Sequence, residues 1–219
     1  MVESRCGILC GSCTYREKTG CTGCTKTENP FWGECAVKKC CEGRRLLHCG
    51  QCGEFPCALL RQFAYDAEQG DDGARISQCE CWRMEDKKRL EGMAEELLSR
   101  CGEVILSSVS GEGYPRSCVL AKIAAKGYQD IYLATAFDSV KVSHFRKNPK
   151  AGLCYYKGGD SVTSMGTVEV LTDQETKNTM WQDWFIQHFP LGKEDPNYCI
   201  LHFKGETATL WIQGIFVTF

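Results

Sequence analysis

Apolar positions change their pattern once along the chain, near Trp82. Between Cys6 and Cys81 they follow no period. Gly, Lys, Glu and Cys dominate there, with turn-prone pieces such as Thr27-Glu28-Asn29-Pro30. One short helix is predicted after Pro56, through Ala58-Leu59-Leu60-Arg61-Gln62-Phe63. Farther on, Leu90, Met93, Ala94, Leu97, Leu98 and Cys101 fall at i, i+3, i+4, i+7, i+8 and i+11. That is one stripe of an amphipathic helix, predicted over 83–101. Short β-branched or aromatic segments then follow at 104–108, 117–123, 131–135, 153–156, 163–171, 198–204 and 207–212, and read as strands. Gly111-Glu112-Gly113, Gly158-Gly159-Asp160 and Lys204-Gly205-Glu206 read as turns between them. Two helices interrupt the strands. One is predicted over 139–147. The other opens on Thr172-Asp173-Gln174-Glu175, a capping box, and carries Met180, Trp181, Trp184, Phe185 and His188 on one face.

Mostly antiparallel strands with turn connections and few helices predict an α+β fold, an antiparallel barrel with flanking helices. The first stretch has too few aliphatic residues for a core of its own and needs a metal or a packing partner. Two domains are expected, a cysteine-rich one over 1–82 and a barrel over 83–219. At 219 residues, 43% apolar and 25% charged, the chain reads as globular. A net charge of −2 gives no global attraction to nucleic acid or to an anionic membrane, and neither is expected as a partner. Apolar runs are too short to span a bilayer. Met1–Arg5 lacks the apolar core of a signal peptide, so a cytoplasmic location is expected.

Seventeen cysteines, an odd number, cannot all close into intrachain disulfides. A dense cysteine cluster in a reducing compartment points to metal. Three Cys-x-x-Cys pairs, Cys10/Cys13, Cys21/Cys24 and Cys49/Cys52, each place two thiolates on one tight turn. With Cys6, Cys35, Cys40, Cys41 and Cys57 they make the expected metal ligands. Iron–sulfur is favoured over zinc, and which cysteines share a site stays open. Cys6-x3-Cys10-x2-Cys13 matches the cluster run of radical S-adenosylmethionine enzymes, but no repeated βα pattern follows to build their barrel. His48 is a weak further ligand candidate beside so many thiols. Lys38-Lys39 and Arg44-Arg45 read as a solvated face or as compensation for thiolate charge. Cys101, Cys118, Cys154 and Cys199 read as small buried hydrophobes. The pieces Cys6-Gly7-Ile8-Leu9-Cys10-Gly11-Ser12-Cys13, Gly20-Cys21-Thr22-Gly23-Cys24 and Cys49-Gly50-Gln51-Cys52-Gly53-Glu54-Phe55-Pro56-Cys57 resemble a cysteine-rich domain of unknown function from anaerobic bacteria and archaea.

The second half carries an anion-binding pattern. A strand ends at Thr135 and a helix starts near Ser139, and helix N-termini hold phosphate through free N–H groups. Ser139 supplies a hydroxyl and Lys141 an ammonium, while Arg116 opens a neighbouring strand with a guanidinium fork.

The stretch from about Glu103 to Ile212 resembles the pyridoxamine-phosphate-oxidase-like flavin split barrel, in its bacterial general-stress-protein branch. Four pieces carry the likeness. Val104–Ser108 with Gly113-Tyr114-Pro115-Arg116 resembles the opening hairpin. Thr135–Lys141 followed by Asn148-Pro149 resembles the phosphate loop. Trp181-Gln182-Asp183-Trp184-Phe185 with Phe189-Pro190-Leu191-Gly192 and Asp195-Pro196 resembles a later helix and loop. Thr207-Ala208-Thr209-Leu210-Trp211 resembles the closing strand. The resemblance implies FMN at a homodimer interface, its phosphate held by Arg116, Ser139 and Lys141 with Thr135 nearby. Trp211 would lie against the flavin ring from the other subunit or, equally, fill the barrel core. The family's arginine-rich substrate segment is not found after Trp211, so oxidation of pyridoxamine phosphate is not expected.

The expected function is a redox flavoprotein, an FMN-dependent oxidoreductase passing electrons between a metal module and FMN. A small organic or flavin-type acceptor and a ferredoxin-type donor would serve it, and no side chain need act as acid or base. The rival is a non-enzymatic sensor or binding protein with structural zinc and a bound flavin or haem.

Overall fold

The computed structural model describes residues 2–30 and 32–219, apart from the side chain of Thr14. The chain forms two compact units, residues 1–88 and 89–219. In the first, three short helices, α1 (Thr14–Thr19), α2 (Ala36–Gly43) and α3 (Ala58–Ala64), are joined by turns. Its small core packs Cys6, Val37, Cys41, Cys49, Leu60, Cys79 and Trp82 together. Four of those seven residues are cysteines, as the scarcity of aliphatic residues requires.

The long helix α4 (Ala74–Ser99) starts in the first unit and ends in the second. Its second half is the predicted amphipathic helix: Leu90, Ala94, Leu97 and Leu98 join the barrel core. Its first half was not predicted. There Arg75, Cys79 and Trp82 fall at i, i+4 and i+7 and are all buried. Two of the three are an arginine and a cysteine, so no apolar stripe shows in the sequence.

Seven strands follow: β1 (Glu103–Val109), β2 (Pro115–Ala125), β3 (Asp130–Ala136), β4 (Lys150–Lys157), β5 (Asp160–Leu171), β6 (Tyr198–Ile212) and β7 (Ile215–Thr218). The sheet order is β3-β2-β1-β4-β5-β6-β7, and β3 also pairs with β6, which closes six strands into an antiparallel barrel. Alternating side chains fill it, among them Val104 and Leu106, Ile131 and Leu133, Leu153 and Tyr155, Leu201 and Phe203. The Tyr155 hydroxyl is buried but donates to the Tyr128 carbonyl at 3.1 Å. The α+β split barrel with flanking helices is therefore the observed fold. Helices α5 (Val140–Lys147) and α6 (Gln174–Met180) lie between strands.

Three local readings change. Lys204-Gly205-Glu206 is not a turn but a bulge inside one long strand, β6, where the register against β5 shifts between Met165 and Gly166. A Cβ on Gly166 would collide with the Lys204 carbonyl oxygen and lie 2.8 Å from Gly205 Cα. Two facing glycines thus let the strands close in and bend. Strand β7 was not predicted; Gln213 and Gly214, at φ 51° and 78°, make the two-residue hairpin turn that leads into it. The helix expected through His188 ends at Met180. Asp173 rather than Thr172 caps it, accepting from the Thr176 N–H at 2.8 Å. The aromatic residues beyond turn Trp181, Phe185 and Phe189 onto Tyr198 on β6. Among the described residues no helix is long and apolar enough to cross a membrane.

Candidate functional site

In the second unit, the β1–β2 hairpin sets Ser108 opposite Arg116. β3 ends at Ala136, and two contacts fix the turn after it: the Phe137 N–H donates to the Asn197 carbonyl at 2.7 Å and the Asp138 N–H to Asn197 Oδ1 at 3.0 Å. Helix α5 then starts with Ser139 at its N-cap. A serine there normally accepts from the first turn. Ser139 does not: its Oγ is buried and has no hydrogen-bond partner. Lys141 Nζ donates to Thr135 Oγ1 at 2.9 Å.

Arg116 and Lys141 line a cavity of about 270 Å³ together with Ser108, Ser117, Cys118 and Val140. Among the described residues neither cation has a carboxylate within ion-pairing distance. Burial pushes the Cys118 thiol up, against the pull of Lys141 and Arg116 on its thiolate. Two cations without a carboxylate partner, at the start of a helix, fit a phosphate ester. Of the five expected cofactor residues, Arg116 and Lys141 line this cavity, Thr135 holds Lys141 from β3, and Ser139 starts the helix without lining the cavity. Trp211 does not line the cavity. It is 48% exposed and packs on Phe216 at 5.9 Å, so it is not a core residue of the barrel. Sequence reasoning missed Ser108, which lines the cavity, and His144, whose Nδ1 lies 2.9 Å from Ser108 Oγ. The hairpin register, countable outward from Gly111-Glu112-Gly113, would have found Ser108.

In the first unit the eleven expected metal-ligating cysteines divide. Cys6, Cys10, Cys13, Cys21, Cys24 and Cys35 line a cavity of about 370 Å³. A second set is buried around Cys41 and Cys49, whose sulfurs lie 3.4 Å apart, with Cys79 beside them. Cys40, Cys52 and Cys57 are partly exposed, and Arg44 donates to Cys52 Sγ at 3.4 Å. Among the described residues no three His, Cys, Asp or Glu side chains converge tightly enough to hold a single metal ion. Cys10–Ser12 and Cys49–Gln51 form the same tight 3₁₀ turn, with the N–H of the second cysteine donating to the carbonyl of the first. Burial pushes the Cys6 thiol up to about 11 and the Cys79 thiol up to about 12. In the touching pair, the hydrogen bond from Cys49 holds Cys41 down and raises Cys49. His48 is a structural residue. Its Nδ1 accepts from the Gly50 N–H at 3.1 Å, so Nε2 carries the proton toward Asp86 at 3.3 Å, and burial lowers the ring's pKa against the pull of Asp86.

Residues 90–212 match the family described as pyridoxamine 5′-phosphate oxidase. Residues 2–62 match a family described only as a protein of unknown function. No curated protein matches the chain. Among solved structures, the chain is similar to a Clostridium acetobutylicum protein related to general stress protein 26 of the pyridoxinephosphate oxidase family. Identity is 25%, with a TM-score of 0.55, covering 60% of this chain and 94% of that one. It is also similar in fold to general stress protein 26 from Bacillus anthracis, at 21% identity and a TM-score of 0.51, covering 60% of this chain and 99% of that one.

Proposed function

Because the chain belongs to the pyridoxamine 5′-phosphate oxidase family, and two unpaired cations face a cavity at the start of α5, we propose that it is an FMN-dependent redox flavoprotein of the cytoplasm. In this reading it is a reductase whose cysteine-rich unit carries thiolate-bound metal, iron–sulfur in preference to zinc, and exchanges electrons with the flavin. The observation that carries the flavin half is the Arg116–Lys141 cavity. Arg116 would bind two phosphate oxygens through its fork, and Lys141, oriented by Thr135, would bind from the helix side. Ser139 would donate its unpartnered hydroxyl. When bound, FMN supplies hydride and single-electron transfer, so no side chain is required as general acid or base.

The partners proposed are a small organic or flavin-type acceptor, a ferredoxin-type donor and a second copy of this chain. The test is chain length-normalised analysis of protein purified without oxygen: released flavin, iron, acid-labile sulfide and zinc, with mass in solution. FMN with iron and sulfide in a dimer is the expected result. Zinc without sulfide would remove the electron exchange and favour the sensor or ligand-binding alternative. Folded protein that takes up no FMN would overturn the flavin reading.

A further inference from the structure

The six thiols around the 370 Å³ cavity and the buried thiols around Cys41 and Cys49 differ in what surrounds them. In the buried set, Cys41 and Cys49 touch, and Cys79 is fully inaccessible. Four sulfurs on one zinc ion stand about 3.8 Å apart, given Zn–S bonds of about 2.3 Å in a tetrahedron. The Cys41–Cys49 spacing of 3.4 Å is close to that. The cavity is different: its thiols stand back around space for several water molecules, which suits a polyatomic group.

The walls carry charge of both signs, from Arg16, Arg75 and Glu68. Arg75 lines the cavity, is 3% exposed, and has a buried Nη1 with no partner. Its other nitrogens are used: Nε binds Asp71 at 2.9 Å and Nη2 donates to the Gln69 carbonyl at 2.8 Å. The guanidinium also stacks on the Phe63 ring, 4.0 Å from its centroid. Arg16 lines the same cavity. The Arg5 N–H already donates to Cys24 Sγ at 3.3 Å, the kind of contact that tunes the potential of thiolate-bound iron. Gly23, at φ 95°, allows its turn to pass close to Cys10, where a Cβ would lie 3.5 Å from the sulfur.

We infer that this cavity is an iron–sulfur cluster site ligated by Cys10, Cys13, Cys21 and Cys24, and that the thiols around Cys41 and Cys49 do not belong to it. Two Cys-x-x-Cys turns supply four thiolates, each thiol losing its proton on binding. Cys35, a single thiol at the N-cap of α2, and Cys6, buried against the core, are left outside the set. Arg16 brings positive charge to the wall, while Arg75 is paired with Asp71 and Glu68 lines the cavity as well. The assignment rests on the metal reading above, which the iron and sulfide content of the wild-type chain tests separately.

The experiment uses the full chain, reconstituted without oxygen from ferrous and ferric iron and sulfide, the ferric iron supplying the oxidising equivalents of the cluster. Cys10→Ser and Cys24→Ser should each lose most of the iron, the labile sulfide and the visible charge-transfer absorption. Cys35→Ser, Cys41→Ser and Cys49→Ser should keep them. Native alkylation of the wild type, mapped by mass spectrometry before and after iron chelation, does not depend on any variant folding. Cys10, Cys13, Cys21 and Cys24 should become reactive only once iron is removed. Iron retained by Cys10→Ser and Cys24→Ser, or protection confined to Cys41 and Cys49, would overturn the assignment while leaving the metal reading intact. Wild type that binds zinc and no iron under these conditions would overturn both.

Discussion

Lys141 and Thr135 hold each other across the end of β3: the ammonium donates to the threonine hydroxyl at 2.9 Å, and Thr135 is 7% exposed. One of the three ammonium donors is thereby used to fix the side chain, and two remain for an anion. Thr135→Val keeps the shape and removes the acceptor. FMN affinity should fall about three- to tenfold, in line with one lost hydrogen bond. Flavin fluorescence titration reads this directly; unchanged affinity would mean that Lys141 needs no such anchor.

Arg116 and Lys141 differ from Thr135 in carrying the charge itself. A charge-assisted hydrogen bond contributes roughly 1.5–3 kcal/mol, so Arg116→Ala and Lys141→Ala should each weaken FMN about ten- to a hundredfold. Riboflavin, which lacks the phosphate, should bind poorly and respond to neither change. If riboflavin suffers as much as FMN, the two residues support the fold and not the ligand.

Much of the barrel was legible because its strands alternate and its turns use glycine. What was not legible shares one physical cause: partners distant in sequence decided it. Lys204-Gly205-Glu206 has the composition of a turn, and only the approach of Gly166 on β5 makes it a bulge. The helix after Asp173 has the right period as far as His188, yet Tyr198 draws the aromatic rings out of it. The turn that carries Thr135, Ser139 and Lys141 was legible because these are near neighbours in the chain, whereas the cavity that Lys141 shares with Arg116 is set by the β1–β2 hairpin. The division of the cysteines was not, because Cys79 meets Cys49 from α4, outside every Cys-x-x-Cys pair.

The facing glycines give a stability prediction. Gly166→Ala would drive a methyl into the Lys204 carbonyl, whose strand cannot retreat without breaking the barrel. Overpacking of this kind costs about 1–3 kcal/mol. The urea midpoint of the full chain should drop accordingly, while Gly158→Ala, in open space but at φ 63°, should cost less. Equal losses would show that the two strands are not closely packed at this point.

Asp173 links α6 to pH. The Thr176 N–H holds its carboxyl below the usual aspartate range. Its folded-state pKa is therefore lower than the unfolded value of about 3.9. The unfolded chain binds the proton first, so the cap's stabilisation is whole above that value and is lost as pH falls through the folded one. Asp173→Asn keeps an acceptor and removes the titration. Its urea midpoint should fall less steeply than that of the wild type between about pH 5 and about pH 2. Parallel curves for the two proteins would show that the cap does not titrate.

Ser139 separates a structural role from a binding role most cleanly. If it were an ordinary N-cap, Ser139→Ala would cost the apo protein about 1 kcal/mol and leave FMN binding alone. The structure gives it no capping bond, and its buried Oγ lacks any partner. Removing a desolvated, unpaired hydroxyl should leave apo stability unchanged or slightly higher. FMN affinity should fall about fivefold, because the phosphate loses one neutral donor of roughly 1 kcal/mol. Urea unfolding of the apo chain and flavin titration of the same variant give the two numbers side by side. A destabilised apo protein with intact FMN affinity would assign Ser139 to the helix and remove it from the cradle. The opposite pattern would mark a polar group kept buried and open for its ligand.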